Sequence, residues 1–170
     1  MKKIALILLL SISLVNCKSS KSTKSVKKPR TTKTTIHSPK KVNSKTNNII
    51  DYALQFEGVK YRYGGTTKKG MDCSGLVITA FKSEAINLPR TTRDQVLSGN
   101  WIDLHDVQKG DLLFFATKKN SRSVNHVGIV TVSRSGYVEF IHSTTSKGVI
   151  VSNLAERYWY LAFVQARRIL

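Results

Sequence analysis

The spacing of hydrophobic residues changes about halfway along the folded part of the chain. Over 48–57 and 73–85 apolar positions recur three or four residues apart, as on the buried face of a helix. A shorter helix is predicted over 93–97, capped by Thr91 or Thr92. After residue 110, short apolar or alternating runs predict strands at 112–115, 126–132, 137–142, 148–152 and 163–169. Helices followed by strands indicate an α+β fold with N-terminal helices packed on an antiparallel sheet.

The first 45 residues differ in composition from the rest. Two lysines precede an apolar run over 4–15 that is too short to cross a bilayer, which is typical of an export signal. Residues 18–45 contain ten Lys or Arg and no acid, so they predict a basic, disordered linker. A folded domain is therefore expected over 46–170.

The export signal ends in Leu-Val-Asn-Cys, which resembles the lipobox of bacterial lipoproteins. The resemblance implies a signal peptide over 1–16 and a lipid-anchored linker over 17–45, with acyl chains (palmitate among them) on Cys17. Because Lys18 follows in place of an acidic residue, the expected location is the outer membrane, facing the periplasm. Asn16 departs from the small residue usual before the cut, and an ordinary secretory signal with an incidental cysteine is the alternative.

The charge of the chain is concentrated outside the predicted domain. Of the formal net charge of +18, the signal carries +2, the linker +10 and residues 46–170 only +6. The domain has no recognisable nucleic-acid motif, so no nucleic-acid partner is predicted. Attraction of the linker to anionic lipid or to an anionic wall polymer is the simpler expectation.

Cys73 is the only cysteine of the predicted domain, and it lies where a Gly-rich loop meets a helix. Asp72 is a suitable N-cap, since its carboxylate can accept from the free N–H groups of the first turn. The positive end of the helix dipole favours the thiolate, which is the nucleophilic form of cysteine. The position predicts a reactive thiol, whereas a small buried thiol is the alternative.

Two histidines lie on the predicted hairpin formed by 126–132 and 137–142. If the hairpin is symmetrical about Arg134, His126 and His142 lie directly opposite each other, on one face of the sheet. With Cys73 they would form a nucleophile, a base and an orienting residue. A zinc site is the less favoured reading, because the chain lacks closely spaced ligand pairs. His37 and His105 are assigned no role.

Five motifs follow one another along the predicted domain. They are Tyr-Arg-Tyr-Gly-Gly at 61–65, Asp-Cys-Ser-Gly-Leu at 72–76, Leu-Pro-Arg-Thr-Thr at 88–92 with Gln95, Gly-Asp-Leu-Leu-Phe-Phe at 110–115, and His-Val-Gly-Ile at 126–129. Motifs of these types in this order resemble the NlpC-type cell-wall cysteine peptidases, a papain-like family, and most closely the lipid-anchored murein endopeptidases of Gram-negative bacteria. The resemblance extends over nearly all of 49–170 and includes the closing segments 158–159 and 166–168.

The resemblance implies a role for each matching position. Cys73 would be the nucleophile, His126 the general base and His142 the third, orienting residue. The residues expected near the oxyanion or the substrate are Tyr61, Asp72, Ser74 and Arg90. The family implies a papain-like fold, a peptidoglycan substrate and no metal or organic cofactor, and a monomer is expected. The loop between His126 and His142 is a few residues longer than in the closest relatives.

Three functions are compatible with these residues. The first is hydrolysis of peptide bonds in peptidoglycan stems or cross-links by the Cys-His-His set. The second is an amidase or acyltransferase reaction on another wall or lipid substrate. The third is a wall-binding lipoprotein without activity, in which Cys73 would be unreactive.

Overall fold

The computed structural model describes residues 39–170, with side chains from Ser44 onward. Its helices are α1 (Pro39–Leu54), α2 (Cys73–Lys82), α3 (Thr92–Gln95) and α4 (Arg157–Ala162), with a 3₁₀ turn at Leu104–Asp106. Its strands are β1 (Thr66–Thr67), β2 (Gly70–Met71), β3 (Asn100–Ile102), β4 (Leu112–Phe115), β5 (His126–Arg134), β6 (Tyr137–Thr144), β7 (Gly148–Asn153) and β8 (Phe163–Arg168). The α+β prediction is confirmed.

Six of the strands form one antiparallel sheet in the order β3-β8-β4-β5-β6-β7. Strand β4 is buried along its whole length, because Leu112 and Phe114 face the helices while Leu113 and Phe115 face a second core under α4. This is why its sequence is a continuous apolar run. Arg168 at the end of β8 donates to both carboxylate oxygens of the buried Asp111, at 2.8 and 2.9 Å, and so fixes β8 beside the start of β4.

All three predicted helices have different bounds in the structure, and α3 begins one residue earlier and ends two residues earlier than predicted. Helix α1 begins at Pro39, nine residues before the predicted start, and ends at Leu54, so its first turns lie in the segment predicted as linker. The other predictions for the N-terminal segment, including Cys17, the signal at 1–16 and His37, lie outside the described residues. Helix α2 ends at Lys82, because Ser83 bonds the Ala80 carbonyl at 2.7 Å and Ala85 has a left-handed φ of 58°.

Five elements were not predicted from the sequence: the short strands β1 and β2, the 3₁₀ turn, β3 and α4. Strand β3 pairs with β8 at the edge of the sheet, and α4 lies in a segment whose pattern is ambiguous between helix and strand. None of the helices within residues 39–170 is long and apolar enough to span a membrane.

Candidate active site

Cys73 is the first residue of α2, and Asp72 is its N-cap, as predicted. The Asp72 carboxylate accepts from the Gly75 N–H at 2.6 Å and from the Gly64 N–H at 2.8 Å, which ties the Gly-rich loop to the helix start. Arg90 donates to both carboxylate oxygens at 2.7 and 3.1 Å, and also to the Ser74 hydroxyl at 2.8 Å. These bonds hold the backbone on both sides of the thiol.

The Cys73 thiol is half-buried between α3 and the start of β5. Its Sγ lies 3.7 Å from the Thr92 hydroxyl, and the Thr92 hydroxyl and the Val127 N–H both favour the thiolate. Burial outweighs them and raises the pKa of the Cys73 thiol above its usual value. Burial thus opposes the predicted effect of the helix dipole and favours the neutral thiol.

The two predicted histidines are bonded to each other. His126 Nε2 lies 2.9 Å from His142 Nδ1, and His142 Nε2 lies 2.9 Å from the hydroxyl of Ser152 on β7. His126 Nδ1 is left as the ring nitrogen available to a group in the groove. Because the two bonded nitrogens point at each other, they do not converge on one point as zinc ligands would.

The histidines share a face of the sheet by a different register from the predicted one. The hairpin turns at Ser135–Gly136, and Arg134 pairs with Tyr137. If the strands kept this register along the whole of β5, His142 would lie on the opposite face of the sheet from His126. A β-bulge between Val130 and Val132 shifts the pairing by one residue, so that Ile129 pairs with Ile141. The two histidines are then diagonal neighbours on one face, not direct partners.

Gly128 provides the space for this diagonal contact. A Cβ at this position would lie 2.6 Å from a ring carbon of Phe140 and 3.2 Å from the Cβ of His142. A side chain would therefore push against the strand that carries His142. The glycine of the His-Val-Gly-Ile motif is explained by this close approach.

Trp159 covers the histidine pair from α4. Its ring is stacked on His126, with centroids 5.4 Å apart and an interplanar angle of 23°. The same ring meets His142 edge-on, with centroids 4.5 Å apart. Together with Phe140 it keeps water away from the bond between the imidazoles.

Burial keeps both imidazoles neutral. It lowers the pKa of His126 to about 4 and that of His142, which a charge on His126 would also repel, to about 3. No site role was predicted for Ser152, Trp159 or Thr92, because their roles depend on contacts between distant elements, although Thr92 and Trp159 lie in segments that carry the family resemblance. Ser152 was visible only as the last residue of a predicted strand.

A groove runs past Cys73 and has two arms. Tyr61, Cys73 and Asn125 line both arms. One arm continues along α3 and is lined by Asp72, Ser74 and Arg90, so the structure brings all the predicted substrate-side residues to the groove. The other arm passes His126 toward the β6–β7 turn and α4.

Tyr61 was predicted to lie near the substrate, whereas His105 was assigned no role. Burial, and negative charge on Cys73 or Asp72, raise the pKa of the Tyr61 hydroxyl, which therefore remains a hydrogen-bond donor. His105 lies on the 3₁₀ turn and pairs with Asp103 at 2.5 Å; within residues 39–170 it lines neither arm of the groove.

The neutral histidines predict acid sensitivity of the fold. An unfolded histidine binds a proton near pH 6.5, whereas folded His126 and His142 resist protonation until about pH 4 and 3. Their contribution is complete above pH 6.5 and is lost as the pH falls toward 4 and 3, with a slope of up to about 1.4 kcal/mol per pH unit for each histidine. Urea unfolding between pH 8 and 4 measures this slope.

A control separates this effect from general acid denaturation. His142→Gln keeps groups that can bond His126 and Ser152 but does not titrate, so its stability should vary less with pH. His105→Gln should retain the full slope below pH 6.5. The pKa of the exposed His105 is raised beside Asp103, so this histidine is protonated there in both the folded and the unfolded protein. Equal slopes for the wild type and His142→Gln would contradict the assignment.

Comparison with known proteins gives consistent matches. The model of the NlpC/P60 family matches residues 58–168. The Escherichia coli K12 protein named Murein DD-endopeptidase MepS/Murein LD-carboxypeptidase is 39% identical over 125 residues, which cover 73% of this chain and 63% of that protein. The E. coli K12 protein named Probable endopeptidase NlpC is 41% identical over 122 residues, covering 71% and 76%.

Solved structures agree with this match. A crystal structure of an NlpC/P60 family protein from Bacillus cereus ATCC 10987 superposes with a TM-score of 0.66 at 33% identity. The superposition covers 74% of this chain and 40% of that one. The predicted papain-like arrangement, with helices on an antiparallel sheet, is confirmed.

Proposed function

This chain belongs to the NlpC/P60 family, and we propose that it is a murein endopeptidase, a cysteine peptidase that hydrolyses peptide bonds in the stems or cross-links of peptidoglycan. The observation that carries the proposal is the placement of Cys73 in one groove with His126, whose far nitrogen is held by His142. The names of its relatives support murein as the substrate, although the chain spans only 63% of the length of the first of them.

The bonded histidines fix which nitrogen acts as the base. For His126 Nδ1 to accept a proton, the ring hydrogen must be on Nε2 and donate to His142 Nδ1. His142 then carries its hydrogen on Nε2 and donates to the Ser152 hydroxyl. The chain of bonds from Ser152 outward thus selects the tautomer of His126 that can deprotonate a thiol.

The reaction follows from this proton arrangement. His126 Nδ1 takes the proton of the Cys73 thiol as the sulfur attacks the carbonyl carbon, and the acyl-enzyme forms when the protonated imidazole gives that proton to the leaving amine. The Tyr61 hydroxyl and the Cys73 N–H are the donors to the oxyanion. His126 then activates water, which releases the acid product and the thiol.

Removing the Ser152 hydroxyl tests the proposed tautomer. In Ser152→Ala the buried Nε2–H of His142 loses its acceptor, which favours the tautomer that blocks His126 as a base. We expect kcat to fall about 10- to 100-fold, the cost of a buried polar group left unpaired. Ser152→Thr keeps a hydroxyl and should retain most of kcat, whereas equal rates for Ser152→Ala and the wild type would contradict the proposed chain of bonds.

The N-terminal segment supports a proposal about location. The signal-like residues 1–16, the lipobox-like Cys17 and the basic residues 18–38 are those expected of a lipid-anchored tether. We propose that the domain is exported and held at the outer membrane, facing the periplasm, where the tether lets it reach the wall. Metabolic labelling with a clickable fatty acid should mark the wild type but not Cys17→Ala.

Digestion of purified muropeptides tests the proposed activity directly. The full chain, purified in detergent, should convert cross-linked or stem peptides to products whose masses identify the hydrolysed bond. Prior treatment with iodoacetamide should abolish this conversion, because alkylation removes the nucleophile. Absence of any product from the untreated protein, or an undiminished rate after alkylation of Cys73, would reject the proposal.

A further inference from the structure

Gln95 on α3 is a fully buried polar residue that the proposed reaction does not use. Its side-chain Nε2 donates to the carbonyl oxygen of Pro89 at 2.9 Å and to that of Ser74 at 3.2 Å. Because a carbonyl oxygen can only accept, these two contacts fix which end of the amide is the nitrogen. The amide therefore joins α3 to the first turn of α2, one residue after the nucleophile.

The amide oxygen of Gln95 is buried and has no hydrogen-bond partner among the described residues. A buried acceptor without a donor opposes folding, whereas an apolar side chain of similar length would bury no such group. A contribution to stability alone therefore does not explain this side chain. Its two donors join two helices that both reach the thiol.

The two joined helices carry the two partners of a contact at the thiol. Cys73 begins α2, and Thr92 begins α3, three residues before Gln95. The Thr92 hydroxyl lies 3.7 Å from Sγ, and Thr92 is buried, so water does not readily replace it. Once His126 has taken the thiol proton, the sulfur can only accept, and the hydroxyl is then the donor. The length of this contact depends on how α3 is held against α2.

Several other groups also act on the thiol or on the segment before α3. The N–H groups of Val127 and Ser74 favour the thiolate, and the charge of the Asp72 carboxylate opposes it. Arg90 pairs with Asp72 and so joins the segment before α3 to α2, but its side chain is 39% exposed and water competes for it. The Gln95 amide joins the same segments from the buried side, and it lines neither arm of the groove.

We propose that Gln95 is a positioning residue, which holds the Thr92 hydroxyl where it donates to the Cys73 thiolate. Thr92 contacts the reacting sulfur, whereas Gln95 acts only through Thr92. The hydrogen bond stabilises the thiolate as His126 removes the proton, and so it lowers the barrier to attack on the carbonyl. The role in turnover rests on the proposed peptidase function, but the contact itself can be tested without a murein substrate.

Alkylation by iodoacetamide at pH 7 tests the contact on the full chain, with the Cys73 peptide followed by mass spectrometry so that Cys17 does not interfere. The rate reports how well the protein stabilises the thiolate. We expect it to fall about three- to tenfold in Thr92→Val, which keeps the shape but has no donor. Thr92→Ser keeps the hydroxyl and should retain most of the rate. Gln95→Met has a similar length and no donor, and it should slow alkylation to a similar extent.

The direction of the change distinguishes positioning from a merely structural role. If Gln95 only held α3 in place, its loss would expose the half-buried sulfur and alkylation would become faster. The double variant Thr92→Val/Gln95→Met should be no slower than Thr92→Val alone, since Gln95 acts through that hydroxyl. Faster alkylation in Gln95→Met, or effects that multiply in the double variant, would overturn the proposal.

Matched variants provide the controls. Thr131→Val removes a buried hydroxyl that has no partner among the described residues, and Gln55→Met removes an exposed amide just after α1. Both should be alkylated at the wild-type rate. If Gln95→Met does not fold, Gln95→Asn takes its place with the same expected result, because its amide is too short to reach both carbonyl oxygens.

Turnover separates this proposal from the peptidase function. On a muropeptide that the wild type cleaves, kcat should fall about three- to tenfold in Thr92→Val and in Gln95→Met, with a smaller change in KM. If the wild type cleaves no muropeptide but alkylation slows as expected, the peptidase function fails and the contact is supported. Equal alkylation rates for the wild type, Thr92→Val and Gln95→Met would overturn the contact, whether or not cleavage is seen.

Discussion

Replacing Cys73 by alanine is expected to reduce kcat/KM on muropeptides by about 10⁴-fold or more, as for loss of the nucleophile in other hydrolases. The sulfur forms the covalent bond to the acyl group, and no neighbouring group can substitute for it. The Thr92 hydroxyl lies 3.7 Å from Sγ, and the neighbouring Ser74 hydroxyl is bonded to Asp72 and Arg90. Initial rates on a defined muropeptide measure the effect.

The fold should tolerate this change. Alanine is the best helix former, and Asp72 still caps α2 through the Gly75 N–H, so we expect stability to change by less than about 1 kcal/mol. Lys82→Ala, at the exposed end of the same helix and outside both arms of the groove, is the control, because it leaves the sulfur and the cap in place and should retain activity. A folded Cys73→Ala protein with more than about 1% of the wild-type rate would show that another residue is the nucleophile.

Local signals made the position of Cys73 at the start of a capped helix predictable from the sequence. The Asp72 cap and the start of α2 depend on residues within a few positions of Cys73, and the structure agrees with the prediction at this end. The effect of burial on the thiol was not predicted, for the same reason. The helix dipole is a local property, whereas the burial that raises the pKa of Cys73 comes from α3 and β5, which are distant in sequence.

The histidine pair shows which features of a hairpin strand periodicity can predict and which it cannot. Alternation along the strands placed His126 and His142 on the same face, which is correct, but a hairpin symmetrical about Arg134 gave the wrong partners. The turn is centred between Ser135 and Gly136, where Gly136 adopts a φ of 71°, and the bulge between Val130 and Val132 restores the shared face. Bulges depend on sheet twist and packing, which strand periodicity does not record.

The roles of the supporting residues Ser152 and Trp159 were not predicted because they depend on contacts between elements that are distant in sequence. Trp159 lies on α4, whose six residues are too short and too evenly apolar to give helical periodicity. In the sequence, Ser152 looks like any other small polar residue in a strand. Only the pairing of β6 with β7, in which His142 lies opposite Ile150, brings the Ser152 hydroxyl within hydrogen-bond distance of His142. The pairing of distant strands decides which of many polar residues becomes part of the site.

Replacing His126 by glutamine is expected to lower kcat/KM by about 10³-fold, since a positioned general base contributes roughly 10²- to 10⁴-fold. Glutamine can still bond His142 through its side-chain amide, so the change removes the base while keeping a polar partner in the sheet. Alkylation of Cys73 by iodoacetamide should also slow at pH 7, because the thiol, whose pKa is raised by burial, loses its proton acceptor.

The pH dependence distinguishes a base from a merely structural residue at position 126. In the wild type, His126 is neutral above about pH 4, so activity should be nearly constant from pH 6 to 8. In His126→Gln hydroxide must remove the thiol proton, so the residual rate should rise about tenfold per pH unit below the pKa of Cys73. If His126 were only structural, its replacement would distort the site but leave the real base in place, and the rate would fall without becoming dependent on pH. A flat pH profile in His126→Gln would therefore show that another residue is the base.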